Sequence, residues 1–198
     1  MPQVPASRYW SFASIAILGC LADLWTKKWI FSRLKYPAEE GPIWLIQDVL
    51  SLDTSLNEGA LFGLGQGFTW LFATLSIIAA VAIVYWLFVN RQAVDAWLNV
   101  ALACVMAGIF GNLYDRLGLP GLKWKFVRGE NQVGDHVYAV RDWIHFEYGA
   151  FDWPIFNLAD SLLVCGAALL VWHSFRQPSP VSLAAVVNEA GAKELAAK

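Results

Sequence analysis

Long apolar runs alternate along this chain with polar links of unequal length. Four runs, about 9–28, 68–89, 95–115 and 154–175, are almost wholly apolar. A helix that crosses a bilayer needs roughly 20 mostly apolar residues, so each run predicts a spanning helix. Aromatic residues mark both ends of each: Trp10 and Trp25, Trp70 and Trp86, Trp97 and Tyr114, Trp153 and Trp172. The two members of a pair are 15 to 19 residues apart. At helical rise that is ~23–29 Å, close to one hydrocarbon thickness. Trp and Tyr favour the headgroup level, so the pairs read as belts; a soluble four-helix bundle has no reason to repeat this spacing. The second run, "FTWLFATLSIIAAVAIVYWLFV", carries no charge and reads as lipid-facing scaffold. The other three hold ionisable residues: Asp23 and Lys27, Asp115 and Arg116, and Asp160.

The link between the second and third runs, "NRQAVD", is short. The other two, 29–67 and 116–153, are long. Within the first, "VLSLDTSL" (49–56) alternates apolar and polar residues with period two, the pattern of a half-exposed strand. Within the second, "HVYAVRDWIHFEY" (136–148) would place Tyr138, Val140, Ile144, Phe146 and Tyr148 on one face. Pro154 suits the first turn of the last helix. The predicted fold is therefore membrane all-α with a small β element: four transmembrane helices and a β-rich cap made from the two long links. Residues 1–177 read as one membrane domain, and 178–198 as a polar, Ala-rich tail.

Composition agrees. Of 198 residues, 58% are hydrophobic and 11 are Trp, with a mean hydropathy of +0.47, too apolar for a soluble domain of this size. The net charge of −2 gives no reason to expect nucleic acid. Cys20, Cys104 and Cys165 lie inside apolar runs without paired spacing, so neither a disulfide framework nor a zinc site is indicated. His136, His145 and His173 are scattered, with no HExxH. No metal and no cofactor is expected.

Four spans put both termini on one side, and every unusual residue then falls on the other: Asp23, Lys27, Asn57, Asn112, Asp115, Arg116, Asp142, Asn157 and Asp160. Gly108, Gly111, Asn112 and Asp115 are spaced three and four apart and share a helix face. The small glycines would let another helix or a ligand come close. Asn157 and Asp160 also share a face. Ionisable residues inside a membrane are costly and mark functional sites by default. Two carboxylates facing each other in a low-dielectric site cannot both ionise easily, so one keeps its proton. Such a pair can activate water against an amide and protonate the leaving nitrogen.

The chain resembles a bacterial family, the lipoprotein signal peptidases (signal peptidase II), over nearly the whole membrane domain. The resemblance rests on five blocks in order: "DLWTK" (23–27), "NEGALFG" (57–63), "GIFGNLYDR" (108–116), "VRDWI" (140–144) and "WPIFNLAD" (153–160). It implies an aspartic endopeptidase that uses no metal and cuts diacylglyceryl-modified prolipoproteins just before the lipidated Cys. It also implies membrane lipids as surroundings and inhibition by globomycin-type cyclic peptides. The catalytic pair implied is Asp115 and Asp160. Asp23, Lys27, Asn57, Gly59, Gly108, Asn112, Arg116, Asp142 and Asn157 fall on other characteristic positions, with the glycines making room for an acylated peptide. Two departures stand out: the second long link carries an insert, "LGLPGLKWKFVRGENQVGDH", and Trp143 stands where Phe is more usual.

The resemblance implies the bacterial inner membrane, with cytoplasmic termini and an active site near the outer face. Charge counting points the other way, with nine basic residues on the motif side against five on the terminal side; five ordered motifs outweigh that bias. Three other readings compete with this one. A proton-coupled transporter would use Asp23, Asp115 and Asp160 as a relay, but no internal repeat is present. A presenilin-like protease would need Gly-x-Gly-Asp where this chain has "NLAD". A lipoprotein cleaved after "ILG" (17–19) would lose its first span.

Overall fold

The computed structural model describes residues 3–37, 39–59 and 64–176; the tail from 178 and the last four residues of the "NEGALFG" block lie outside them. Helix α1 (Ala6–Arg33) leads into strands β1 (Ile43–Ile46) and β2 (Leu50–Asn57). Helix α2 (Thr69–Val84) continues through a π turn to Val89, and α3 (Ala96–Arg116) follows after a short turn. The second long link carries β3 (Val140–Tyr148) and β4 (Phe151–Phe156), and α4 (Leu158–Arg176) closes the described chain. All four helices are long and apolar enough to cross a membrane. The four strands form one antiparallel sheet in the order β1-β2-β3-β4.

Helix α3 is the hub. In its most apolar stretch 67% of residues are buried, against 11–17% in the other three helices. Those three turn large side chains such as Trp10, Leu75, Val81 and Val171 outward, as helices facing lipid must. Helix α3 starts on Asp95, whose carboxylate accepts from the backbone N–H groups of Trp97 (2.9 Å) and Leu98 (3.1 Å). This N-cap satisfies two of the donors a helix start leaves open. His173 of α4 contacts the same carboxylate at 2.5 Å, and Asn99 donates to Arg8 O and Ser11 Oγ of α1. One end of the bundle is thus tied by polar contacts around the start of α3.

Helix α3 packs closely because it lacks side chains where its neighbours press. A Cβ on Gly108 would collide with the Ala159 carbonyl and lie 2.6 Å from Leu163 Cγ; one on Gly111 would collide with the Asp23 carboxylate. The expected closeness is present, but protein fills it: α4 occupies the space at Gly108, and Asp23 that at Gly111. These glycines therefore do not make room for a peptide.

The sheet is larger than the period-two signals foretold. Strands β1 and β4 carry no clean alternation and are exposed along most of their length. Pro154 lies in β4 rather than in the first turn of α4. It is tolerated there because β4 is an edge strand, where a missing N–H costs no ladder bond. Tyr138 precedes β3, and the first three residues of β3, Val140, Arg141 and Asp142, are all buried. The strand enters the protein at that end, and its opposite end is the more exposed one. Bulges at Leu52/Ser55 and Ile144/Phe146 interrupt the register on both sides of β3.

Gly108→Val should lower the thermal unfolding midpoint of the protein in detergent by several degrees, since overpacking costs ~1–3 kcal/mol. Gly41→Ala, where an added Cβ meets nothing within 4 Å, should leave the midpoint unchanged.

Candidate active site

The polar residues gather in two layers at the end of the bundle that carries the sheet. The inner layer is an ion cluster. Lys27 and Asp23 are one helical turn apart on α1, and both are fully buried, 2.8 Å apart. Lys27 Nζ also lies 3.2 Å from Asp115 Oδ2 and donates to Asn112 Oδ1 at 3.0 Å. Asp115 is held from its other side by Arg141. That guanidinium donates through Nε and Nη2 to Oδ1 at 3.0 and 2.7 Å, and the Arg141 backbone N–H donates to Oδ2 at 3.1 Å. Asp23 Oδ1 accepts from the Ala159 N–H at 2.9 Å, filling an open donor in the first turn of α4.

The outer layer is a pocket lined by Asn57, Asn112, Arg116, Val140, Asp142, Trp153, Pro154, Ile155, Phe156 and Asp160. Asn157 caps α4. Its side-chain oxygen accepts from the Asp160 N–H at 3.0 Å, while the Asp160 carboxylate accepts from the Asn157 N–H at 3.2 Å. This reciprocal arrangement is a capping box with Asp in the acidic position. It fixes the Asp160 side chain at a helix N-terminus, where negative charge is favoured. Asn112 Nδ2 supplies Asp160 with a further hydrogen bond of 2.8 Å. Asn157 Nδ2 donates to Asp142 Oδ1 at 2.6 Å and to Asn112 Oδ1 at 3.1 Å. Three asparagine amides thus fix the two carboxyls, since Asn57 also hydrogen-bonds to Asp142. Arg116 Nη2 donates to the Gly59 carbonyl at 3.1 Å, and its guanidinium lies 5.7 Å from the Phe72 ring centre.

Asp142 is 2% exposed. Burial, and then the negative charge of Asp160, push its carboxyl up to about 8; the hydrogen bonds from Asn157 and Asn57 and the charge of Lys27 offset only part of this. Burial beside a second carboxyl thus favours the neutral form of Asp142.

The structure distributes the expected residues unevenly. Asn57, Asn112, Arg116, Asp142 and Asp160 line the pocket, and Asn157 and Gly59 brace it. Asp23 and Lys27 lie behind it, and Gly108 serves helix packing. Asp115 is not among the lining residues: two cations and a backbone N–H engage its carboxylate. The two carboxyls that line the pocket together are Asp142 and Asp160, whereas the expected pair was Asp115 and Asp160. Arg141 was missed except as a basic residue, though the "VRDWI" block held the signal. Neighbours on a strand point to opposite faces, so Arg141 turns to Asp115 while Asp142 turns to the pocket.

The structure also brings together His145, Glu147 and Asp152, whose ligand-type atoms lie within 4.8 Å of one another. Sequence spacing did not show this group because the β3–β4 hairpin assembles it, pairing Glu147 with Asp152. It lies outside the pocket lining.

A family model described as signal peptidase (SPase) II matches residues 15–176. The chain belongs to the signal peptidase II family. A lipoprotein signal peptidase of Rhodopirellula baltica is 43% identical over 175 residues, covering 86% of this chain and 74% of that protein. One from Geobacillus kaustophilus is 33% identical, covering 87% and 95%. Two solved structures, each described as a bacterial membrane enzyme, are also similar at 27% identity. Their TM-scores are 0.68 and 0.65, covering 85% and 84% of this chain and 89% and 94% of theirs. Membership in signal peptidase II, with four apolar helices, makes the chain a multi-pass membrane protein.

Lys27→Ala should destabilise the protein by ~3–5 kcal/mol, because it leaves Asp23 and Asp115 as buried charges short of a cation. Lys35→Ala, which removes an exposed pair with Glu40, should leave stability nearly unchanged. Unfolding of both variants in the same detergent checks the contrast.

Proposed function

We propose that this chain is an aspartic endopeptidase that removes the signal peptide from diacylglyceryl-modified prolipoproteins, with Asp142 and Asp160 as its catalytic pair. The observation that carries the pairing is the shared pocket: both carboxyls line it, Asp142 is buried with its carboxyl raised to about 8, and Asp115 is held by Lys27 and Arg141. Family membership and the names of the relatives support the substrate class.

The chemistry follows from the two protonation states. Asp160, as carboxylate, takes a proton from a water molecule while that water's oxygen attacks the scissile carbonyl carbon. Asp142, as neutral acid, gives its proton to the carbonyl oxygen, and a neutral tetrahedral intermediate forms. On collapse Asp160 returns its proton to the amide nitrogen, the C–N bond breaks, and Asp142 recovers the hydroxyl proton. The amide of the residue before the lipidated Cys is the bond placed here; the acyl chains stay in the bilayer. Asn112, Asn157 and Asn57 keep the carboxyls in register, and Arg116 fixes the β2 exit through Gly59. Asp23, Lys27 and Asp115 position rather than react. In this reading residues 1–177 form the peptidase domain, the termini are cytoplasmic, the sheet lies on the outer face of the inner membrane, and globomycin-type peptides block the same pocket.

Asp142→Asn and Asp160→Asn should each lower cleavage of a diacylglyceryl-modified prolipoprotein by about 10²–10⁴-fold, the range of general acid–base catalysis. The double change should cost little more than either alone. Asp115→Asn should keep measurable turnover in the folded fraction while lowering the unfolding midpoint. A gel-shift assay beside a thermal scan separates the two patterns.

The pH profile is a further check. Asp142 is the acid that must carry a proton; its neutral form dominates below about 8 and is lost above. The rate should therefore fall tenfold per pH unit on the alkaline side of about 8. A rate that stays flat to pH 10 would contradict the assignment.

A further inference from the structure

A second cavity lies on the outside of the bundle, behind the ion cluster. It is a groove of about 540 Å³ between the outer part of α1, the end of α3 and the start of the insert. From α1 come Leu21, Leu24, Trp25, Lys28, Phe31 and Ser32. Their spacing of three and four makes one continuous helix face, ~16 Å long at helical rise. Leu119, Pro120 and Leu122 of the insert form the opposite wall, and Tyr114 and Arg141 close the inner end.

The chemistry of this groove is amphiphilic and of one sign. Its walls are apolar along most of their length. Its charged lining residues are Lys28 and Arg141; no carboxylate lines it. Arg141 is already engaged by Asp115. Lys28 is exposed and, among the described residues, makes no ion pair or hydrogen bond, although the other lysines on the sheet side of the chain have partners: Lys27 with Asp23, Lys35 with Glu40, Lys123 with the Gly134 carbonyl and Lys125 with Glu39. Trp25, next to it in the groove, is 65% exposed and stacks on Trp29 at 6.2 Å, which marks this depth as the headgroup level. An unpaired cation at headgroup depth, above an apolar trough that runs into the hydrocarbon, fits a molecule with an anionic head and acyl chains. Basic pockets between spanning helices hold anionic lipid headgroups in this way.

We infer that the α1–α3–insert groove is a binding site for an anionic phospholipid, with Lys28 on the phosphate and an acyl chain along Leu21, Leu24 and Trp25. The diacylglyceryl group of the proposed substrate is uncharged and would leave Lys28 without a partner, so charge favours the phospholipid as occupant. The inference does not depend on the catalytic assignment.

Native mass spectrometry of the protein in neutral detergent, with phosphatidylglycerol or phosphatidylcholine added, tests it. The protein should retain phosphatidylglycerol about fivefold more than phosphatidylcholine, the preference one basic residue near the surface confers. Lys28→Ala should abolish the preference and Lys28→Glu should reverse it, with unchanged unfolding midpoints because the side chain is exposed. Lys125→Ala, on the outer surface, should keep it. Equal retention of the two lipids would overturn the inference, as would a preference that survives Lys28→Glu. Release of phosphatidylglycerol by an equimolar diacylglyceryl peptide would also overturn it, by giving the groove to substrate.

Discussion

The Lys27 ammonium group is the point on which the rest of the site depends. It reaches Asp23 on its own helix, and Asp115 and Asn112 on α3. Asp23 in turn holds the first turn of α4, and Asp115 holds Arg141 at the start of β3. One buried cation therefore connects α1, α3, α4 and the sheet. Taking these charges out of water is costly, and their attraction offsets that cost only with well-formed contacts on every side. The cluster therefore specifies one arrangement. Asp142 stands one residue from Arg141, and Asp160 one residue from Ala159, so both carboxyls are placed by residues whose neighbours are locked into the cluster.

This layering separates two uses of acidic residues that look alike in a sequence. Asp115 and Asp142 both lie beside an arginine in the chain, and both are essentially buried. Asp115 is engaged by Lys27, Arg141 and a backbone N–H and lies outside the pocket lining. Asp142 is surrounded by amides and by another carboxyl, which favours its neutral form. Environment, not residue type, decides which acid can exchange a proton.

Much of the architecture was legible in the sequence because lipid imposes a simple length rule. The four runs and their aromatic ends correspond to the four helices to within a few residues, except that α4 begins at Leu158 after Pro154 is used in β4. Strands β2 and β3 were visible through alternation. Strands β1 and β4 were not, since an exposed edge strand need not alternate. The gathering of the polar residues at one end followed from topology alone. Which acids face each other did not, because that depends on the turn of β3 that sends Arg141 one way and Asp142 the other. The excess of basic residues on the sheet side also takes on a local meaning. Lys27 and Arg141 are buried in the cluster, and Lys35, Lys125 and Arg128 pair with Glu40, Glu39 and Glu58. These positions reflect structure as much as orientation.

The central claim is that Asp142, and not Asp115, is the acid that carries the proton of the reacting pair. Infrared difference spectroscopy reads this directly, because a protonated carboxyl has a C=O stretch distinct from that of a carboxylate. The account predicts a protonated-carboxyl band at pH 7 that fades as pH rises through about 8, persists in Asp115→Asn and is missing in Asp142→Asn. A band that survives Asp142→Asn but disappears in Asp115→Asn would contradict it.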